Sequence, residues 1–210
     1  MFNEDQLEQI ELGKAHGVDV SKYSNPTFSR PCMRVIREGL ELGYYLHSYV
    51  ELGFEWPQIQ EILWGLVSGV DISFYDKIEF DWRQMEWIRK GLKRGLDVTW
   101  YAVSDYSFMK MESIWRGLLQ GVDVSIYANP EFDDDQMEAL RYGLVKGVDV
   151  GICAYPEFSW LQMREIIDGL IFGVDVSSYA DPKINRQRME WARKRLQKEY
   201  EKAENKKIKL

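Results

Sequence analysis

Apolar and polar positions along the chain follow one pattern that recurs every 26 residues. An aromatic residue opens each copy at Phe2, Phe28, Phe54, Phe80, Tyr106, Phe132 and Phe158, with Ile184 in the last, so eight copies run without an insertion or deletion. Such spacing predicts a stacked repeat architecture. Slots are counted from 1 at each opening residue. Slot 2 holds Asn3, Ser29, Glu55, Asp81, Ser107, Asp133, Ser159 and Asn185, nearly all side chains that accept a hydrogen bond from the first free amides of a helix. Slot 5 holds Gln6, Gln58, Gln84, Gln136 and Gln162, completing a capping box, and Pro31 and Pro57 fit the first turn. The core stripe follows as Met85, Ile88 and Leu92, repeated as Met111, Ile114 and Leu118 at helical spacing. Gly17, Gly43, Gly69, Gly95, Gly121, Gly147 and Gly173 then predict left-handed C-terminal caps. A helix of about twelve residues, roughly 18 Å long, fits between the caps.

A second glycine recurs inside that helix at Gly13, Gly39, Gly65, Gly91, Gly117, Gly143 and Gly169. Each costs about 1 kcal/mol relative to alanine, so a neighbouring segment is expected to cross too closely for a methyl group. The connector, seen as Val122-Asp123-Val124-Ser125-Ile126-Tyr127-Ala128-Asn129-Pro130, predicts one short helical turn capped by Asp123 or Ser125, with the Tyr packed beneath. The matching Asp19, Asp71, Asp97, Asp149 and Asp175 are read as caps rather than metal ligands, because no partner carboxylate recurs beside them. Two connectors depart from the pattern. Residues 44–53 lack the Asp and the Pro and predict a longer helical turn, and residues 150–156 put Cys153 where the Tyr belongs.

Odd and even copies differ as well. Slot 10 holds Arg37, Arg89, Arg141 and Arg193 in even copies but Leu63, Trp115 and Ile167 in odd ones, and slot 14 holds Val67, Leu119 and Ile171 in the same odd copies. This predicts paired copies in two layers, odd helices more deeply buried and even helices exposing their Arg. The last copy keeps Met189, loses both glycines and predicts a polar capping helix over 184–210. The fold class expected is all-α, a single α-solenoid domain over 1–210, each copy one long helix plus a short turn.

Composition narrows the function classes. With 45% apolar and 29% charged residues the chain is globular in type, and its net charge of -7 argues against general nucleic-acid binding, which needs phosphates neutralised by Lys and Arg. A basic partner is electrostatically easier. Cys32 and Cys153 occupy different slots in distant copies and imply neither a disulfide framework nor a thiolate metal site, which fits a reducing cytoplasmic setting. No leader-like or membrane-spanning apolar run appears. His16 and His47 are the only histidines and share no slot with a repeated nucleophile, so no catalytic residue, metal site or cofactor is expected.

The repeat, best expressed as Gln-Met-x-x-Ile-Arg-x-Gly-Leu-x-x-Gly-Val-Asp-Val-Ser-x-Tyr-Ala-x-Pro-x-Phe, resembles a family of short helical repeats in largely uncharacterised bacterial proteins, some carried on phage-like or conjugative elements. The resemblance covers essentially the whole chain and brings no functional residue with it. A mobile-element setting implies interference with a host protein. Independently of it, the varying slots are rich in aromatics and Arg, the side chains that dominate interfaces. The slot 3 aromatics Trp56, Trp82, Phe108 and Trp160 are expected to pack between copies. Trp64, Trp87 and Trp100, with Arg89 and Tyr142, are the expected contact residues. The expected role is non-enzymatic protein–protein interaction, as inhibitor or adaptor. The alternative is sequestration of a small ligand or nucleotide in a deep apolar pocket with converging Arg37, Arg89 or Arg141.

Overall fold

The structure, a computed structural model, describes residues 1–207, with side chains described as far as residue 205. All regular elements among the described residues are helical. The long helices are α1 (Glu4–Ala15), α2 (Arg30–Glu41), α4 (Trp56–Ser68), α5 (Trp82–Lys93), α6 (Phe108–Gln120), α7 (Asp134–Val145), α8 (Trp160–Phe172) and α9 (Arg186–Lys207); α3 (His47–Glu51) is a short helix in the irregular second connector. Two compact units divide the chain, Met1–Gly95 and Leu96–Leu210. In the first, α1 packs on α2, α2 on α4 and α4 on α5; in the second, α6, α7, α8 and α9 pack in succession.

The helices start where their caps require. Asp133 accepts a hydrogen bond from the Gln136 amide at 2.7 Å while Gln136 Oε1 accepts from the Asp133 amide at 2.7 Å, and Asn3 with Gln6 and Asp81 with Gln84 form the same reciprocal box. The glutamines also do something a capping box does not require. Gln136 Nε2 donates to the carbonyls of Pro156 and Phe158 at 3.0 and 2.6 Å, and Gln162 Nε2 to those of Pro182 and Ile184 at 2.9 and 2.8 Å. In the first unit Gln6 reaches Pro26 and Phe28, and Gln58 reaches Ile78 and Phe80, in the same way. One side chain therefore ties the start of a helix to the segment that leads into the next. Where slot 5 is Lys110, its Nζ makes one such bond, to the Pro130 carbonyl at 2.9 Å.

The helices end on glycine, and all seven predicted terminal glycines adopt positive φ, for example 68° at Gly69. Beyond them the aspartates cap short turns: Asp71 Oδ1 accepts from the Ser73 amide at 3.0 Å and Asp123 from the Ser125 amide at 3.0 Å. The Ser73 hydroxyl and, after it, the Ser73 amide hold the Asp71 carboxyl below its ordinary value. The connector tyrosines explain the interior glycines. Tyr75 is fully buried and its hydroxyl donates to the Glu61 carbonyl at 3.3 Å, lying so close to α4 that a Cβ on Gly65 would overlap the hydroxyl oxygen. Tyr23 over Gly13, Tyr127 over Gly117 and Tyr179 over Gly169 repeat the arrangement. In the sixth copy Cys153 takes the tyrosine's place, completely buried, and burial pushes its thiol up to about 12.

The core of each unit is the slot 6 and slot 9 stripe. Met33, Ile36, Ile59, Ile62, Met85 and Ile88 have no exposure in the first unit, nor do Met111, Ile114, Met137, Leu140, Met163 and Ile166 in the second. Leu92 and Leu118, one turn further on, are only half-buried.

The expected difference in depth between odd and even helices is not found. Slot 14 is exposed in odd copies, at 54% for Val67, 42% for Leu119 and 39% for Ile171. At about 100° per residue this slot stands roughly 140° round the helix from slot 9, outside the stripe whatever residue fills it. Slot 10 is buried or half-buried in both sets: Arg37 and Arg141 are at 7% and 8% exposure beside Leu63 and Ile167 at 3% and 0%, while Arg89, Arg193 and Trp115 are half-buried. The alternation has another cause. Slot 8 in odd copies carries Gln9, Glu61 or Glu165, and the Arg 28 residues later turns inward to it. Arg37 Nε donates to Gln9 at 3.2 Å, Arg89 Nε to Glu61 at 2.7 Å and Arg193 Nε to Glu165 at 2.9 Å. The predicted capping helix is present as α9, where Tyr200 meets Phe172 edge-on at 5.9 Å and Met189 is buried. Residues 208–210 of that prediction lie outside the described residues.

Candidate functional site

The clearest concave feature of the first unit lies between α4 and the start of α5. Trp56 and Pro57 open α4, because Glu55 caps it and a proline is tolerated where amides have no helical partner. Gln60 and Trp64 follow Trp56 at four-residue intervals on the same face, and Trp82 opens α5 one repeat after Trp56. Together with Glu61 these side chains line a cleft of about 260 Å³. Trp56, Trp64 and Trp82 are 39%, 47% and 37% exposed, so the cleft is open along its aromatic walls.

Its floor is polar and almost dry. Glu61 is 2% exposed, and burial raises its pKa while the Arg89 guanidinium beside it opposes the shift. Arg89 is held twice, by the 2.7 Å ion pair to Glu61 and by lying 5.2 Å from the centroid of the Trp64 ring, within the range of cation–π attraction. Gln60 is 6% exposed, lines the cleft, and its amide has no hydrogen-bond partner among the described residues. Beyond Trp82 a second depression of about 340 Å³ carries Glu55, Glu79 and Asp81, so an acidic rim adjoins the aromatic cleft.

Of the expected contact residues, Trp64 and Arg89 meet in this cleft, Arg89 as support for the wall with its charge already matched. Trp87 is half-buried on α5 with Lys90 Nζ 4.2 Å from its ring centroid, which corrects its expected exposure. Trp100 and Tyr142 belong to the second unit. Trp100 ends a short turn at 41% exposure, and Tyr142 is half-buried on α7 under the Arg164 guanidinium at 4.0 Å. The slot 3 tryptophans Trp56, Trp82 and Trp160 are more than a third exposed, which corrects their expected packing, and Trp56 and Trp82 serve as walls of the cleft. Sequence reasoning passed over Trp56, Trp82 and Gln60. Their signal was the four-residue spacing of slots 3, 7 and 11, which puts them on one helical face.

The chain is thus an all-helical protein whose caps and core recur at a 26-residue interval, with an aromatic cleft set between two of its helices. No described helix is long and apolar enough to cross a membrane. Comparison with protein-family models, with curated proteins and with solved structures gives no match.

Proposed function

We propose that the chain is an α-solenoid of eight 26-residue copies that binds a protein partner, and that the α4/α5 cleft receives the partner's anchor side chain. The observation that carries the reading is the set of three tryptophans around a desolvated floor that still offers the unpartnered Gln60 amide. Buried aromatic-lined pockets of this kind hold the residues that dominate interface energies. At about 260 Å³ the cleft falls below the roughly 300–1,000 Å³ of sites that enclose a small ligand. Of the guanidinia against its walls, Arg83 lies 4.7 Å from the Trp82 ring, and Arg89, 5.2 Å from the Trp64 ring, is neutralised by Glu61. The size of the cleft favours a protein partner over sequestration. The acidic rim of Glu55, Glu79 and Asp81 favours a segment in which a large apolar residue stands next to Lys or Arg. Acting by occupancy, such a binder is an inhibitor or an adaptor, the role already implied by the repeat's resemblance to proteins of mobile elements.

Selection of a random displayed-peptide library against the chain tests this. Enriched peptides are expected to pair an aromatic or long aliphatic residue with neighbouring basic ones, and to lose binding to Trp64→Ala and Trp82→Ala but not to Trp160→Ala. Peptides that bind the Trp64→Ala and Trp82→Ala variants undiminished would remove the cleft from the function.

A further inference from the structure

In the second unit the cleft between α6 and α7 occupies the same register as the tryptophan cleft but has the opposite chemistry. It measures about 200 Å³ and is lined by Glu112, Asp134, Asp135 and Glu138, with Arg116 and Met109 at its edge and Ser113 at its floor. Ser113 is 5% exposed and its hydroxyl has no hydrogen-bond partner. A buried, unmatched hydroxyl beneath four carboxylates is a polar group awaiting a ligand.

The molecule itself identifies that ligand, because two other grooves of the same register are already filled. Between α1 and α2, Arg30 at slot 3 of the following helix reaches back to Glu8 at 2.8 Å and to Asp5 at 3.9 Å. Between α8 and α9, Arg186 at the same slot donates its Nε to Glu165 at 3.0 Å. In α7 slot 3 is Asp134, so the acids of the groove remain and the slot 3 guanidinium is replaced by another carboxylate. Two of the four acids already have a cation, which leaves Asp134 and Asp135 without one among the described residues. Arg116 pairs with Glu112 at 2.6 Å on its own helix, and Arg141 is bound to Glu138 and to Gln120. Asp134 accepts from the Ser107 hydroxyl at 2.6 Å, while Asp135 has no partner among the described residues.

We propose that the α6/α7 cleft binds an arginine side chain supplied by a partner protein, its guanidinium standing where Arg30 and Arg186 stand in their own grooves. The planar fork has five donors, enough to meet Asp135, Asp134 and the Ser113 hydroxyl together, and charge-assisted bonds of this type are the stronger kind. The site is separate from the tryptophan cleft, so either can fail without the other.

Met109, 51% exposed at the cleft's edge, is the reporter. With methyl-13C-methionine protein, titration of N-acetyl-arginine amide is expected to shift the Met109 methyl resonance saturably, whereas the neutral isostere N-acetyl-citrulline amide leaves it in place. Asp134→Arg installs the guanidinium found in the other two grooves and is expected to abolish the shift; Asp135→Asn, which removes one acceptor charge without adding bulk, weakens it several-fold. Equal response to the citrulline compound, no saturable shift at all, or undiminished binding by both folded variants would overturn the assignment.

Discussion

Replacing Arg89 by Met tests whether the alternation of odd and even copies is an inward ion pair. The change keeps an unbranched apolar stem against Trp64 and removes the one cation paired with Glu61 among the described residues, the Glu61 side chain being 3% exposed. Removing one partner of a buried pair costs about 3–5 kcal/mol, because a carboxylate is left in an apolar site. The sign of the pH dependence follows from Glu61. Its native pKa is already raised by burial, so the folded state holds the proton more tightly than the unfolded one, and stability rises as pH falls from above the native value toward the ordinary glutamate value of about 4.3. Without Arg89 that native value climbs further and the window widens. Arg89→Met is therefore expected to be more damaging at pH 8 than at pH 5, because protonation of the buried carboxyl relieves part of the loss as pH falls. Glu61→Gln is expected to cost less than about 1 kcal/mol, since Gln9 and Arg37 already form the amide version of the contact at 3.2 Å. Combining the two should recover most of the loss. The assay is urea unfolding followed by far-UV circular dichroism and tryptophan fluorescence at both pH values. With slopes of about 1–3 kcal/mol/M, a 3 kcal/mol loss lowers the midpoint by on the order of 1–3 M. A loss of the same size at both pH values, or a double variant no more stable than Arg89→Met, would refute the ion-pair account.

Gly65→Ala should destabilise by about 1–3 kcal/mol despite the higher helix propensity of alanine, because the added methyl overlaps the Tyr75 hydroxyl and stands 2.8 Å from Ile72 Cγ2. In a Tyr75→Phe background, itself about 1 kcal/mol less stable, thermal unfolding should show a smaller penalty; net stabilisation by Gly65→Ala would contradict the close approach. Gln136→Glu should cost about 2–4 kcal/mol, close to Gln136→Ala, since the carboxylate can still cap Asp133 but cannot donate to the carbonyls of Pro156 and Phe158. A near-neutral Glu in chemical denaturation would mean that capping alone is the residue's role.

Much of each unit was legible because repetition turns weak local signals into strong ones. A single Asp-x-x-Gln is a modest helix start, but Asn3, Asp81 and Asp133 with a Gln three residues on, at one interval, leave little room for another reading. What escaped was the second half of each side chain's work. A capping box accepts Glu as readily as Gln, yet Gln6, Gln58, Gln84, Gln136 and Gln162 are never Glu. That preference signals a need for a donor, and the amides of Gln6, Gln58, Gln136 and Gln162 meet carbonyls 20 and 22 residues on. The arginines of slot 10 were visible too, but their partners Gln9, Glu61 and Glu165 lie 28 residues earlier, a separation that no single-helix periodicity brings together. Apolar Leu63, Trp115 and Ile167 at the same slot in odd copies pointed instead to exposed arginines.

The contrast between the tryptophan and acidic clefts follows from which slots carry the framework. Caps, glutamine ties, Met and Ile stripes, interior glycines and connector tyrosines use slots 2, 5, 6, 9, 12 and 22, none of which forms a groove wall. Slots 3, 4, 7 and 11, with slot 3 of the next helix, form the walls and make no hydrogen bond on which the backbone depends. Gln60, Trp64 and Trp82 in one groove and Glu112, Arg116 and Asp134 in the other can therefore occupy equivalent positions without either altering its helices. Slot 8 is the exception, because it faces both the groove and the inward Arg. Where it is Glu61 the arginine is held and the walls above are free to be apolar; where it is Ser113 the arginine swings to Glu138 and Gln120, and a polar hollow opens beneath the acids. A single residue type at slot 8 thus separates the two kinds of groove.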